Sequence, residues 1–146
     1  MPEKISHRLL EIVEALPLKD GVRVLEIGCG TGVTAREIAN RIGKAKVLAI
    51  DRSAKMIAQA KRLSHSQINN GSLEFMQTNI EDFALPEKEQ LYDFAFAVRV
   101  GALDGRHPEL EQRALHNIAR ALRPNGKLFI DGGDPLKEIN LVKARV

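Results

Sequence analysis

Three glycines fall within five residues, Gly28-Cys29-Gly30-Thr31-Gly32, directly after the apolar run Val22 to Ile27. Such a run turns the chain sharply at Gly28, lets the backbone approach a ligand closely at Gly30, and allows helix and strand to pack together at Gly32. Asp51 closes a second apolar run nineteen residues after Gly32, where a carboxylate accepts hydrogen bonds from both hydroxyls of a ribose. The pair points to a nucleoside-type ligand. Glu26, two residues ahead of Gly28, reads as a ligand contact or as a brace for the glycine loop through backbone N–H groups. A second chemistry-bearing stretch, Val98 to Pro108, carries Arg99, Asp104, Arg106 and His107. His107 and Asp104 are candidate acid–base residues, and an arginine here suits a carboxylate-bearing substrate. Each has a plainer alternative, Asp104 as a turn residue beside Gly105 and His107 as an exposed residue before a Pro-initiated helix. Cys29 sits at a helix start, which can favour a thiolate, but a small filler within the loop is the simpler reading.

The elements that would position these residues follow from periodicity. Ile5, Leu9, Ile12, Val13 and Leu16 recur at helical spacing until Pro17 and Asp20-Gly21, which predicts a leading helix. Val22 to Ile27 reads as a strand, and Val33 to Ile42 as a helix with Gly43 available as a left-handed cap. Val47 to Ile50 is a second buried-type strand, and Ser53 caps a helix carrying Met56, Ile57, Ala60 and Leu63. Asn69-Asn70-Gly71 marks a turn before a strand at Leu73 to Gln77, and another strand is expected at Tyr92 to Val98. A helix over Pro108 to Leu122 ends at Arg123-Pro124-Asn125-Gly126, ahead of a fifth strand at Leu128-Phe129-Ile130. Strands alternating with helices imply an α/β fold, a three-layer Rossmann-like sandwich with a mainly parallel sheet of about five strands and helices on both faces.

Dinucleotide enzymes usually show G-x-G-x-x-G, whereas this loop reads G-x-G-x-G. Val24-Leu25-Glu26-Ile27-Gly28-Cys29-Gly30-Thr31-Gly32 resembles the first motif of the class I S-adenosylmethionine-dependent methyltransferases, and Ala49-Ile50-Asp51-Arg52-Ser53 with Met56 resembles the second. Gln77-Thr78-Asn79-Ile80-Glu81-Asp82 is similar to the stretch after the third strand that holds adenine, with Asn79 where Asp is commoner. Tyr92 to Ala97 and Leu122 to Leu128 resemble the fourth-strand motif and the turn into the fifth strand, so the likeness runs from Val22 to about Asp131. The resemblance implies S-adenosylmethionine as cofactor, held by Glu26, Gly28, Cys29, Gly30, Gly32, Asp51, Arg52, Met56, Asn79, Ile80 and Ala97. Met56 would cover the adenine ring, while the Asn79 amide and the Ile80 N–H would meet its edge. It also implies methyl transfer to a small-molecule acceptor, an in-line displacement that needs no metal.

The family continues past its fifth strand with a helix and an antiparallel pair of strands. Here Gly132 to Val146 can supply a short helix or one strand, for example Ile139 to Val146, so the fold is expected to be truncated relative to a seven-stranded core. A bare fifth-strand edge at Leu128-Phe129-Ile130 would then be completed by a homodimer or a partner chain.

The 146 residues, 44% hydrophobic and 28% charged, suit a single domain over residues 1–146. One cysteine precludes an internal disulfide or a cysteine-rich metal site. His65 and His116 show no ligand spacing, and no metal is expected. The formal charge of +3 is dispersed along the chain and Trp is absent, which leaves nucleic-acid binding unsupported. No run is long enough to cross a bilayer, and Met1-Pro2-Glu3-Lys4 lacks a secretory pattern, so a cytoplasmic protein is expected. Two other readings stand beside the enzyme. One is a non-catalytic subunit that binds S-adenosylmethionine or a partner, and the other is a nicotinamide-dependent oxidoreductase, which the glycine spacing disfavours.

Overall fold

The computed structural model describes residues 4–145, and Met1-Pro2-Glu3 and Val146 lie outside the described residues. Each element forms where its local chemistry directs. Ser6 starts α1 (His7–Ala15), its hydroxyl accepting the Leu9 N–H at 3.2 Å, and the helix buries Ile12 and Val13. The run of β1 (Arg23–Ile27) leads through the glycine loop into α2 (Val33–Arg41). β2 (Lys46–Asp51) follows, then α3 (Ala54–Leu63), whose cap Ser53 accepts the Met56 N–H at 3.2 Å. A short α4 (His65–Asn69) precedes β3 (Leu73–Gln77), and a single 3-10 turn over Ile80–Asp82 precedes β4 (Tyr92–Ala97). Pro108 opens α5 (Pro108–Ala121), at the position where its missing N–H costs nothing. β5 (Leu122–Asp131) and β6 (Leu136–Ile139) complete the sheet.

The strand order is β3-β2-β1-β4-β5-β6. All neighbours run parallel except β5 and β6, which pair antiparallel from Leu128↔Ile139 to Asp131↔Leu136. The winding direction reverses between β1 and β4, so a crevice opens beyond their carboxyl ends. Apolar clusters cover both faces. One gathers Ile12, Val13, Val24, Ile38, Ala49 and Phe96 beneath α1, α2 and α3. The other gathers Leu25, Ile50, Ala97, Ile118 and Leu128 against α5. The expected α/β sandwich, with helices on both faces of a mostly parallel sheet, is the fold observed.

Three expectations are corrected. The sheet has a sixth strand, formed by Leu136–Ile139 and not by the segment from Ile139 to Val146, whose Lys143–Arg145 form a 3-10 turn. The fifth-strand edge is therefore already paired, and no second chain is needed to complete it. Arg123-Pro124-Asn125-Gly126 lies inside β5, where the register with β4 jumps from Tyr92↔Leu122 to Phe94↔Lys127. Pro124 cannot donate to a ladder, so the segment loops out, tied by Arg123 Nη1 to Asp93 Oδ1 at 2.8 Å. Finally, Lys44 and not Gly43 takes the left-handed position after α2, at φ 58.

The return from β5 to β6 depends on Gly133, where a Cβ would collide with the backbone carbonyl of Leu136. Gly133→Ala is expected to lower unfolding stability by about 1–3 kcal/mol and to speed amide exchange along Leu136–Ile139. Urea unfolding with an unchanged midpoint would contradict this account of the turn.

Candidate functional site

The glycine loop begins where β1 ends. Gly28, Gly30 and Gly32 have φ of 76, 54 and 84, values that L side chains rarely adopt. At Gly28 a Cβ would lie 2.7 Å from Val100 Cγ2, and at Gly32 2.9 Å from Phe75 Cζ. Neither position has room for a side chain. At Gly30 a Cβ would meet nothing within 4 Å, so the backbone there borders open space. The amides of Gly28 and Cys29 both donate to the Ile50 carbonyl, at 2.8 and 2.9 Å, and Gly32 donates to Cys29 O. Gly30 N–H donates to Asp51 Oδ2 at 2.8 Å, and the Ser53 N–H donates to Asp51 Oδ1 at 2.9 Å. The bracing considered for Glu26 thus falls to Asp51 and the end of β2.

Beneath the loop lies a buried polar group of unusual composition. Glu26 is buried, and its Oε1 has no hydrogen-bond partner among the described residues. Burial, reinforced by the nearby Asp51 carboxylate and opposed by Arg36, pushes the Glu26 carboxyl up to about 8. The buried Arg36 donates from Nη1 to Thr31 O at 2.7 Å and to Ser64 Oγ at 3.0 Å, which fixes the far side of the loop to the end of α3. Burial also pushes the Cys29 thiol far above its ordinary range, with Glu26 and Asp51 adding to the effect. Desolvation outweighs any helix-start preference for a thiolate, and Cys29 acts as filler in the apolar cluster.

Beyond the loop a cleft of about 250 Å³ opens over the strand ends. Asp51, Arg52, Asn79 and Ile80 from the ends of β2 and β3 line it, together with Arg99, Val100, Arg106 and His107 from the loop after β4. Asn79 donates from Nδ2 to Asp82 Oδ2 at 3.1 Å. Asn117 of α5 donates to the carbonyls of Ile80 and Glu81 at 3.0 and 2.9 Å, anchoring this segment. Of the residues expected to hold the cofactor, Glu26, Cys29, Gly30, Gly32, Met56 on α3 and the buried Ala97 at the end of β4 are outside the lining. Asp104 is outside it too, because its carboxylate receives Arg106 Nε on both oxygens at 3.0 and 2.9 Å. That hydrogen bond holds the Asp104 carboxyl below the usual carboxylate range. His107 lines the cleft above Gly101, where any Cβ would strike its ring, and its Nδ1 lies 3.5 Å from Glu109 Oε1.

Sequence reasoning did not single out Asp131. It closes β5, accepts the Arg99 N–H on Oδ1 at 3.0 Å, and lies 3.6 Å from Arg8 Nη2 of α1. The only signal available was an acidic residue at a strand end. Among the described residues, no group of three or more His, Cys, Asp or Glu is arranged to hold a metal ion. No helix among them is long and apolar enough to cross a membrane.

With this geometry in view, the chain can be compared with known proteins. The methyltransferase domain family matches residues 24–126, from the start of the glycine motif to the β5 bulge. An O-methyltransferase of Aspergillus nomiae, rstn1, is 34% identical over 143 residues, covering 94% of this chain and 60% of its own length. The [4+2]-cyclase SpnF superposes with a TM-score of 0.67 at 29% identity, covering 84% of this chain and 43% of that protein. A methyltransferase of Thiobacillus denitrificans, solved with S-adenosylhomocysteine, gives 0.66 at 22% identity over 86% of this chain and 48% of its own. The chain thus spans roughly half the length of the proteins it resembles. The glycine loop and the acidic end of β2 fall within the matched region, and the chain belongs to the methyltransferase domain family.

Proposed function

We propose that this domain binds S-adenosylmethionine and transfers its methyl group to a small-molecule acceptor. The observation that carries the reading is the pairing of an open backbone at Gly30 with the Asp51 carboxylate, 2.8 Å away across the β1 and β2 ends. Asp51 retains lone pairs for ribose hydroxyls after accepting two backbone amides. Asn79 spends its amide N–H on Asp82, which leaves Oδ1 to accept from an adenine amino group. Arg52 and Ile80 flank that position in the cleft. When bound, S-adenosylmethionine supplies an activated methyl group on a sulfonium, so the protein need only orient the acceptor, exclude water and take up a proton. We assign the proton to His107 Nε2, because Nδ1 faces Glu109 and the ring lines the cleft. Asp104, held ionised by Arg106, is a weaker base and serves to orient that arginine. A cytoplasmic setting accords with a lone, buried cysteine.

Calorimetric titration is expected to give saturable binding of S-adenosylmethionine and S-adenosylhomocysteine but not NADH. Asp51→Ala should weaken binding about ten- to a hundredfold. No binding of either sulfur ligand to the unaltered protein would refute the reading. With an acceptor found by screening for S-adenosylhomocysteine release, His107→Ala is expected to slow turnover about a hundredfold and Asp104→Ala far less. Full turnover by the His107 variant would remove the histidine from the mechanism.

Glu26 supplies a pH test on the ligand-free protein. Its folded pKa of about 8 exceeds the ordinary 4.5, so between those values the folded chain holds a proton that the unfolded chain has released. Its contribution to stability is greatest at low pH and declines as pH rises through that window. Glu26→Gln should therefore become progressively more stable than the parent from pH 5 to pH 8, as read by urea unfolding. A difference independent of pH would show that Glu26 is ionised in the folded state.

A further inference from the structure

We propose that Arg99 selects the methyl acceptor, and that this acceptor is a small organic acid whose carboxylate the Arg99 guanidinium holds. The inference rests on the methyl-transfer reading and adds the substrate class. Arg99 lies just past the end of β4 with φ 57, one of two non-glycine residues with positive φ among those described. A non-glycine residue keeps that conformation only where its surroundings over-determine it. Here both of its peptide groups are pinned. Its N–H donates to Asp131 Oδ1 at 3.0 Å, and its carbonyl accepts Arg106 Nη2 at 2.7 Å. Arg106 is in turn fixed by its fork with Asp104. Three charged groups from the β4–α5 loop and β5 thus hold the backbone that presents Arg99 at the cleft.

Its charged neighbours in the β4–α5 loop are already engaged. Arg106 is paired with Asp104, and His107 stands beside Glu109. The exposed Arg99 side chain has no carboxylate within ion-pair distance among the described residues, yet it lines the cleft. The carboxylates of Asp51 and Glu81 also line the cleft, and Asp51 already accepts the Gly30 and Ser53 amides. A donor carrying a sulfonium, an ammonium and one carboxylate is a net cation, and placing it beside an unpaired guanidinium is unfavourable unless an anion lies between them. An acid acceptor is that anion, and a guanidinium fork binds a carboxylate through two parallel hydrogen bonds.

The test uses the protein saturated with S-adenosylhomocysteine and titrated with 4-hydroxybenzoate, 3,4-dihydroxybenzoate, succinate and citrate, each beside its methyl ester. Arg99→Asn is the variant, since Asn tolerates a left-handed backbone. At least one acid is expected to bind more than tenfold tighter than its ester, and Arg99→Asn to erase that preference while S-adenosylhomocysteine affinity changes less than twofold. No preference for any acid overturns the proposal. Loss of S-adenosylhomocysteine affinity in Arg99→Asn also overturns it, because Arg99 would then be holding the donor's own carboxylate. Far-ultraviolet circular dichroism and an unchanged melting temperature exclude misfolding as the cause. Failure of the unaltered protein to bind S-adenosylhomocysteine would instead sink the methyl-transfer reading, and this inference with it.

Discussion

The Asp51 carboxylate, taking the Gly30 amide on one oxygen and the Ser53 amide on the other, is the interaction on which the site depends. It joins the glycine loop to the end of β2 and the start of α3. Without it the middle of the loop would lose its one tie to β2 beyond the two amides that reach Ile50, and Gly30 would be free to leave the position in which its backbone borders open space. A carboxylate bonded to backbone N–H groups at a strand end is also an anion that a ligand hydroxyl can share. The same atoms therefore fix the loop and mark where a ribose would be read. Arg36 completes the arrangement from the other side, its contacts to Thr31 and Ser64 preventing the loop from tilting away from α3.

The glycine-loop side of the fold was legible because its determinants are local. Positive φ at Gly28 and Gly30, a cap at Ser53 and a strand-ending Asp51 are properties of single residues in short runs, and periodicity supplies the helices that flank them. What escaped reading depends on distant partners. Leu136–Ile139 carries only two apolar residues in four, and it becomes a strand because Gly132 and Gly133 turn it back onto β5. Arg123-Pro124-Asn125-Gly126 has the composition of a turn, yet Tyr92 and Phe94 capture the residues on either side and keep it within the ladder as a bulge. Asp104 reads as a candidate base until Gly105, at φ 91, brings Arg106 around to occupy both of its oxygens. Met56 and Ala97 were assigned through resemblance, and neither lines the cleft. His107 was one of four polar residues in a loop, and only its packing over Gly101 distinguishes it.

The two sides of the cleft are built by different physics. On the β1–β2 side the constraints act on the backbone: a side chain at Gly28 would strike Val100, and one at Gly32 would strike Phe75. Little can change there without moving a strand or a helix. On the β4–α5 side, backbone N–H groups of Leu103, Asp104 and His107 donate to Val100 and Gly101 carbonyls, and side-chain charges add to them, Asp131 and Arg106 on Arg99 and Asp104 on Arg106. Those charge contacts are largely exposed, so each contributes modestly and can be exchanged for another at small cost.

That division also explains how the two sides stay in register. Val100, adjacent to Arg99, packs against Gly28, so the charged loop rests directly on the glycine loop. Asp131 reaches from the end of β5 to Arg99, and Arg8 reaches from α1 to Asp131. A displacement of the glycine loop is therefore felt at Val100 and, one residue on, at the backbone of Arg99. In-line transfer tolerates little misplacement between donor and acceptor. If the glycine loop frames the donor and the Arg99 loop the acceptor, as proposed, this direct steric contact is the simplest means of keeping the two aligned.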